Sequence, residues 1–458
     1  SRLVGYLDHA SIHTNTHRAA TDGYALAIIR SSEKSGYNGE TAFAFAIAAR
    51  SALRDGLHLR SQQLATQARR IAAEFPEDSF SVRTRICLDS HIDPWFGSLE
   101  QSVRSLSEGV LKAQSANDYE FSAFAAASYA INGFTRGLDL GALKRTVSEH
   151  LAQVNRYGHT TGVNIAFYVL QIATHLLAQP ENHAQLGQSA LTIKADDDQL
   201  AQACVYTLRL FYAVLFNDFN GARYIIDEAN KTEAALSTFP LHSLYTLSSG
   251  LIAARTAPVR LDLLHKAIAS LRKASASGAT FTQSKVFILE AELAYAQGKI
   301  ERALKLWEQA AEAARSQGLA IDEALAYELA ARACHKLRRT DFTQLFAKNA
   351  YLTYLRWGAI AKAEQLEREL PGVNQDLLTT LDSNTALSIT PIADMAIREI
   401  KTHQSSGESS KFSDRLVDTT TVMRAAQAIS QEIVLDRVLT KLLGLALEHS
   451  GGQKACMI

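Results

Sequence analysis

Little in this 458-residue chain would stop a helix. It holds only 7 Pro and 24 Gly, while Ala and Leu dominate and apolar residues recur at spacings of three and four along almost every long stretch, the pattern of α-helices. Cysteine is scarce as well. Cys87, Cys204, Cys334 and Cys456 lie more than a hundred residues apart and form no CxxC pair, which excludes a disulfide framework and a zinc ribbon and reads as buried thiols in a reducing cytosol. Neither sign of charge is in excess, with 47 Lys plus Arg against 47 Asp plus Glu. Binding to nucleic acid, which rests on neutralising phosphates, therefore gets no support. Uninterrupted apolar runs are short, Ala42 to Ala49 being among the longest, so no segment approaches the roughly 18 residues that cross a bilayer. No signal peptide stands at the start, which is Ser1 rather than Met. There is no G-x-S-x-G elbow, so a serine nucleophile has no local signature.

What is present is repetition. Phe287 to Gln297 reads as one helix, Gly298-Lys299-Ile300 as a tight turn, and Glu301 to Ser316 as a second helix in which Ala303 and Trp307 carry the small-x3-aromatic spacing of tetratricopeptide repeats. Asn217-Asp218-Phe219 repeats the turn, followed by Ala222 and Ile226. Weaker copies fall at Gly56-Leu57, Gly97-Ser98-Leu99, Gly137 to Leu140, near Pro180-Glu181-Asn182, near Pro258-Val259 and at Thr340-Asp341-Phe342. Their spacing of roughly 40 residues exceeds the 34 of a standard tetratricopeptide repeat but suits elongated helical pairs. The expected fold is all-α: a right-handed superhelix of about eight TPR-like hairpins over residues 37–372, with a concave surface, preceded by the end of another helical segment at 1–36.

The array is expected to stop at Pro371-Gly372, after the charged helix Ala359 to Leu370. Residues 373–413 are weakly patterned and end in the polar linker His403 to Lys411. Asp418 and Thr419 to Thr421 then offer capping side chains to a connector helix at 414–434, whose apolar stripe contains Val422, Ala425, Ala426 and Ile429. Such a stripe commonly pairs with its twin in a homodimer. Val422, Ala426 and Ile429 are accordingly the candidate signalling and dimer interface.

Two stretches carry a resemblance. Gln427-Ala428-Ile429-Ser430, continuing through Glu432-Ile433 and Leu435-Asp436 to Gly451-Gly452, resembles the entry helix and first strand of a GAF sensor domain, here cut short at 435–458. Lys285 to Ala294, Ala324 to Ala331 and Tyr354 to Ala359, taken with that entry, resemble the large bacterial signalling kinases that join a serine/threonine-kinase-like domain, an AAA or STAND ATPase, a helical repeat region, a GAF domain and a histidine kinase. The resemblance runs in domain order from about residue 40 to 458 and is densest at 281–371 and 418–458. It implies an excised, non-catalytic regulatory scaffold without a cofactor of its own, ATP and Mg²⁺ belonging only to domains outside these residues. Its implied partners are proteins, the kinase and ATPase domains of the same polypeptide, and a small-molecule signal. No Gly-rich nucleotide loop with Lys, no HRD or DFG signature and no phospho-accepting His followed by an acid is present. Glu448-His449 has the reverse order.

The remaining candidates weigh chemistry against packing. Asp93 and Trp95 beside Pro94, with His91 just before, could present a carboxylate and an aromatic face to a ligand, or simply start a proline-capped helix. Tyr354, Arg356 and Trp357 cluster aromatics with a cation, which in a terminal repeat more often caps the core. His9, His13 and His17 share a helical face at metal-ligand spacing, against a frayed terminus as the default. Convergence of His58, His91 and His150 would favour an enzyme. An inducer-binding repeat region of a STAND-type transcriptional regulator is the other reading, and it calls for a DNA-binding helix-turn-helix downstream where the GAF start stands.

Overall fold

A computed structural model describes residues 18–154, 160–177 and 198–370. The chain divides into two units, Ser1–Val373 and Asn374–Ile458, and the described residues all belong to the first. The connector stripe Val422, Ala426 and Ile429, the GAF resemblance, the linker, the turn near Pro180, Cys456, Glu448-His449 and the trio His9, His13 and His17 lie outside the described residues.

Eighteen α-helices and two 3-10 turns, with no strand, make up what is described. In order they are α1 Arg18–Ser35, α2 Gly39–Arg54, α3 His58–Glu74, α4 Ser79–His91, α5 Asp93–Phe96, α6 Leu99–Ser115, α7 Tyr119–Arg136, α8 Leu140–Val154 and α9 Thr160–Leu177. After residues 178–197 come α10 Gln199–Leu215, α11 Phe219–Thr232, α12 Leu241–Arg255, α13 Leu261–Ala276, α14 Gln283–Ala296, α15 Ile300–Ser316, α16 Ala320–Lys336, α17 Thr340–Trp357 and α18 Ile360–Glu369. Each helix packs on the next, and alternate helices touch as well, as in α10 with α12, α12 with α14 and α14 with α16. This is a helical solenoid.

One device makes most of the turns. Helices end on a left-handed residue, which lets the next amide reach back five residues to a free carbonyl. Asp118 N bonds Ala113 O at 2.8 Å, Asp218 N bonds Ala213 O at 2.8 Å, Lys299 N bonds Ala294 O at 2.9 Å, and Leu319 N bonds Ala314 O at 2.9 Å. The left-handed residues Gly298, Gly318, Arg338 and Gly358 follow one another at intervals of 20 residues. One helix and its turn therefore occupy 20 residues and a hairpin about 40. Two of these turns also open with a cap, since Asp118 and Asp218 each accept from an amide in the next helix. The turn expected at Thr340 to Phe342 stands slightly earlier, at Leu337 to Arg339, with Thr340 already opening α17. Arg338 takes φ +56° there, and an arginine in that role carries no sequence signal.

The helices form an inner and an outer layer. Outer ones such as α15 bury a single stripe, Ala303, Leu304, Trp307, Ala310, Ala311 and Ala314. The Ala303 and Trp307 pair is wholly buried, as the repeat spacing requires. Inner ones are buried almost all round: nearly every residue of α7 from Phe121 to Thr135 and of α16 from Ile321 to Ala331 is covered. Their second covered face meets other inner helices, α7 touching α12 and α16, and α9 touching α18. Small side chains permit the approach, with Ala123, Ala125, Ala126, Ala127 and Ala130 on α7 and Ala324, Ala326, Ala330 and Ala331 on α16.

The first unit thus closes on itself, and the concave face expected from the sequence is largely occupied by its own helices. Two corners show how tightly. Gly137, left-handed at φ +79°, lies where a Cβ would stand 3.1 Å from the backbone nitrogens of Ala320 and Ile321. Gly358 likewise abuts Asp139 and Leu140. The corner after α7 and the corner after α17 interlock although more than 200 residues separate them in the chain.

Candidate functional site

Among the described residues, two cavities share Arg50 and His91 in their lining. Arg50 ends the apolar run of α2, so the helix that buries Phe43, Ile47 and Ala49 carries a guanidinium inward one turn later. His91 is the last residue of α4 and only 3% exposed. The first cavity adds Thr21 and Asp22 from α1, Arg54 from α2, and the segment Ala234 to Phe239 that leads into α12. The second is apolar, lined by Phe43, Ile47, Cys87, Phe121 and Phe124. The enclosed space is small, enough for a few water-sized groups before it opens outward.

The histidine is held hard. Its Nδ1 lies 2.9 Å from Thr238 Oγ1, and its ring packs against Phe239 at 4.3 Å and Phe124 at 5.8 Å between centroids. Thr238 is pinned in turn, since Trp95 Nε1 donates to its carbonyl oxygen at 2.7 Å. Nε2 of His91 finds no hydrogen-bond partner among the described residues, a deficit that costs about 1–3 kcal/mol in a buried site. Burial, and then the charge on Arg50, hold the His91 pKa well below its ordinary 6.5. The ring is therefore neutral at pH 7, and if Nδ1 accepts the Thr238 hydroxyl proton, Nε2–H is a donor. Burial also lowers the Arg50 guanidinium, while raising the Cys87 thiol to about 11, which leaves that cysteine unreactive. Asp22, the acid at the cavity, is tied to Arg54 at 2.8 Å and to the Ser51 hydroxyl.

The depressed histidine has a measurable consequence. Unfolded His91 takes a proton as pH falls through 6.5 and the folded residue does not, so stability must drop on acidification from this group, by up to about 1.4 kcal/mol per pH unit. Urea midpoints of the wild type measured from pH 7.5 to 5.5 are expected to fall, and His91→Phe is expected to flatten that slope. An identical slope in the variant would show that His91 is not the group responsible.

A second polar centre lies at the closing end of the unit. Glu328 on α16, 1% exposed, accepts from Lys362 Nζ and Arg332 Nε at 2.7 Å each, from Tyr354 Oη at 2.6 Å and from Asn217 Nδ2 at 2.9 Å. Gln365 on α18 donates to Phe216 O at 3.0 Å. Burial pushes the Glu328 carboxyl up, but the charges of Lys362 and Arg332 and the hydrogen bonds from Lys362 and Tyr354 outweigh it and hold it down at about 2. Elsewhere Lys285 and Asp322 form a fully buried pair at 2.7 Å, and Arg255 grips Glu292 bidentately at 2.7 and 2.8 Å. These pairs join neighbouring inner helices. Asp89 on α4, bonded to Arg85 and Ser105, is raised by burial to about 7.

The residues singled out in the sequence fall into this frame unevenly. Pro94 lies in the first turn of the short helix α5, and Trp95 is buried against Phe281 with centroids 5.5 Å apart. Asp93 pairs with Arg69. Tyr354 and Trp357 are fully buried, Tyr354 on Glu328 and Trp357 against Phe134 at 5.9 Å. Only Arg356 of that cluster reaches solvent, paired with Glu323. His58, His91 and His150 do not converge: His58 stacks edge-on with Phe96 and His150 with Tyr129. No group of three or more metal-ligating side chains occurs among the described residues, and none of their helices is long and apolar enough to cross a membrane. Arg50 and Thr238 were not legible as site residues. The one available signal was a lone arginine closing an Ala-rich apolar run.

No protein-family model matches this chain, and no curated protein is significantly similar to it.

Proposed function

We propose that this chain is the non-catalytic regulatory scaffold of a multidomain signal-transduction kinase: a right-handed solenoid of about eight TPR-like hairpins that takes up a protein or small-molecule signal and relays it through the connector stripe Val422, Ala426 and Ile429 into a GAF domain. The catalytic work, with its ATP and Mg²⁺, belongs on this reading to kinase and ATPase domains of the intact protein. The observation that carries the reading is closure. Inner helices far apart in sequence share one buried surface, so a change at one hairpin alters packing at another, and stiff bistable contacts of this kind are what convert local shifts into long-range ones.

The test uses the intact gene product. Asn217→Ala and Gln365→Ala each remove one contact across the closure without leaving a bare buried charge, so the fold should persist by circular dichroism. Phosphotransfer output is expected to change about fivefold or more, the range of ordinary allosteric couplings. Ile429→Asp is expected to dissociate the dimer or uncouple output from it. Unchanged output in all three folded variants, with association unchanged in the third, would overturn the relay.

A further inference from the structure

We propose that the outward face of α17 is a self-association surface, on which two copies of this chain pair their α17 helices antiparallel about a two-fold axis at Lys348 and Asn349. This goes beyond the relay and does not rest on it.

The face stands out against its own repeat. Gly298 and Arg338 make equivalent left-handed turns 40 residues apart, so α15 and α17 can be compared position by position. Arg302, Lys305, Gln309 and Glu312 are exposed on α15. Phe342, Leu345, Asn349 and Leu352 take their places on α17, where Phe342 and Leu345 remain 49% and 54% exposed. The core of α17 lies on the opposite side, with Phe346, Ala350, Tyr354 and Trp357. Three charged positions of a solvent-facing stripe have thus become apolar without entering the core, and an exposed apolar stripe of this kind marks a partner. Phe342 stacks on Phe346 with centroids 6.4 Å apart, which holds its ring at the edge of the stripe.

The charges on this face choose a second copy as that partner. Helical periodicity places Asp341, Leu345, Leu352 and Arg356 on one stripe, with the acid in the first turn and the cation in the last. Laid antiparallel, two such stripes set Leu345 against the partner's Leu352 and Asp341 against the partner's Arg356 in a single register, since both pairs are centred between Lys348 and Asn349. The two-fold axis makes each contact twice. A parallel pairing would instead bring acid to acid and arginine to arginine, and like charges in contact repel. Arg356 already pairs with Glu323 of its own chain, yet 60% of its side chain is exposed, and a guanidinium has donors enough for a second carboxylate. One pair of helices buries less than the roughly 1,200–2,000 Å² of a standard interface, so the dimer is a weak one.

The experiment is sedimentation velocity of the full chain over roughly a hundredfold range of concentration, with Ile429→Asp present throughout so that the connector stripe is out of play. The sedimentation coefficient is expected to climb with concentration toward that of a dimer. Leu345→Lys and Asp341→Lys alter exposed side chains, and each is expected to raise the dissociation constant about tenfold or more. Oxidative cross-linking then reads the register and needs no change at Ile429. In a chain whose Cys456 is replaced by Ser, Asn349→Cys brings two thiols together near the axis and is expected to give a disulfide-linked dimer. Gln309→Cys, its equivalent on α15, is expected to give none. A monomer at every concentration would overturn the proposal, and so would a dimer that Leu345→Lys leaves unchanged. Cross-linking of Gln309→Cys as fast as of Asn349→Cys would overturn the register. An Asn349→Cys thiol that a maleimide cannot reach in the monomer would show the face to be covered already, which overturns the surface as well. None of these readouts involves phosphotransfer.

Discussion

Glu328→Gln is expected to lower the stability of the closed unit by about 3–5 kcal/mol, the usual cost of leaving one half of a buried ion pair alone. The reason lies in how many groups depend on this carboxylate. Lys362, itself fully buried, loses its anionic partner, and Arg332, Tyr354 and Asn217 lose an ionic acceptor at the same point. Burial already pulls the Lys362 ammonium below its ordinary range, and Glu328 is the charge that keeps it protonated. Replacing both members of the pair, Glu328→Met with Lys362→Met, should cost less than the sum of the single changes, because no bare charge is then left behind.

Acid titration adds an independent check with a definite sign. The folded Glu328 carboxyl sits at about 2 against an ordinary 4.5, so its contribution is fully present above pH 4.5 and disappears as pH falls toward 2. The gap in urea midpoint between wild type and Glu328→Gln should be constant from pH 7 to 5 and narrow below 4.5. A gap that holds its size down to pH 3 would mean that the carboxylate charge is not what stabilises the latch.

Trp357→Ala should cost a similar amount, about 3–5 kcal/mol, as other large-to-small changes in well-packed cores do. Trp357 is 1% exposed and stacks edge-on with Phe134, which in turn packs against Phe211 at 6.0 Å. Three helices from distant parts of the chain, α7, α10 and α17, therefore meet through these three rings. The indole Nε1 has no hydrogen-bond partner among the described residues, so Trp357→Phe removes area but none of the described hydrogen bonds and should be the milder change. Where the loss appears matters more than its size. In an open solenoid each repeat answers only to its neighbours, and amide exchange would accelerate only around α16 to α18. In the closed unit it should accelerate as well at Phe134 to Leu143, more than 200 residues away. Protection there that stays at the wild-type level would show that closure contributes little.

Local rules carried the sequence reading a long way. The scarcity of prolines, the three-and-four spacing and the Ala303 and Trp307 pair were enough for an all-helical repeat with hairpins near 40 residues, because each depends only on residues within a turn or two of one another. Gly56, Gly137, Asn217 and Gly298 marked their turns because the backbone there is left-handed, a conformation glycine and asparagine adopt at least cost. The same reasoning misplaced one turn by three residues at Arg338, where a non-glycine residue takes that conformation.

The site was far less legible, and for a physical reason. Trp95, Tyr354 and Trp357 stood out as aromatic side chains able to meet a ligand, yet an aromatic in a repeat looks the same whether it faces solvent or a helix 200 residues away. His91 reaches Thr238 across 147 residues, Gln365 reaches Phe216 across 149 and Asn217 reaches Glu328 across 111. No periodicity encodes such meetings. The sequence by itself determined that this chain makes helices, where most of them turn and that they pair in succession, since those are matters of backbone propensity and neighbouring side chains. Only the tertiary structure decided that the superhelix closes on itself, that Arg50 and His91 share a cavity and that Glu328 gathers two cations, because the pitch at which one turn of a solenoid meets another is the accumulated sum of many small helix-to-helix rotations.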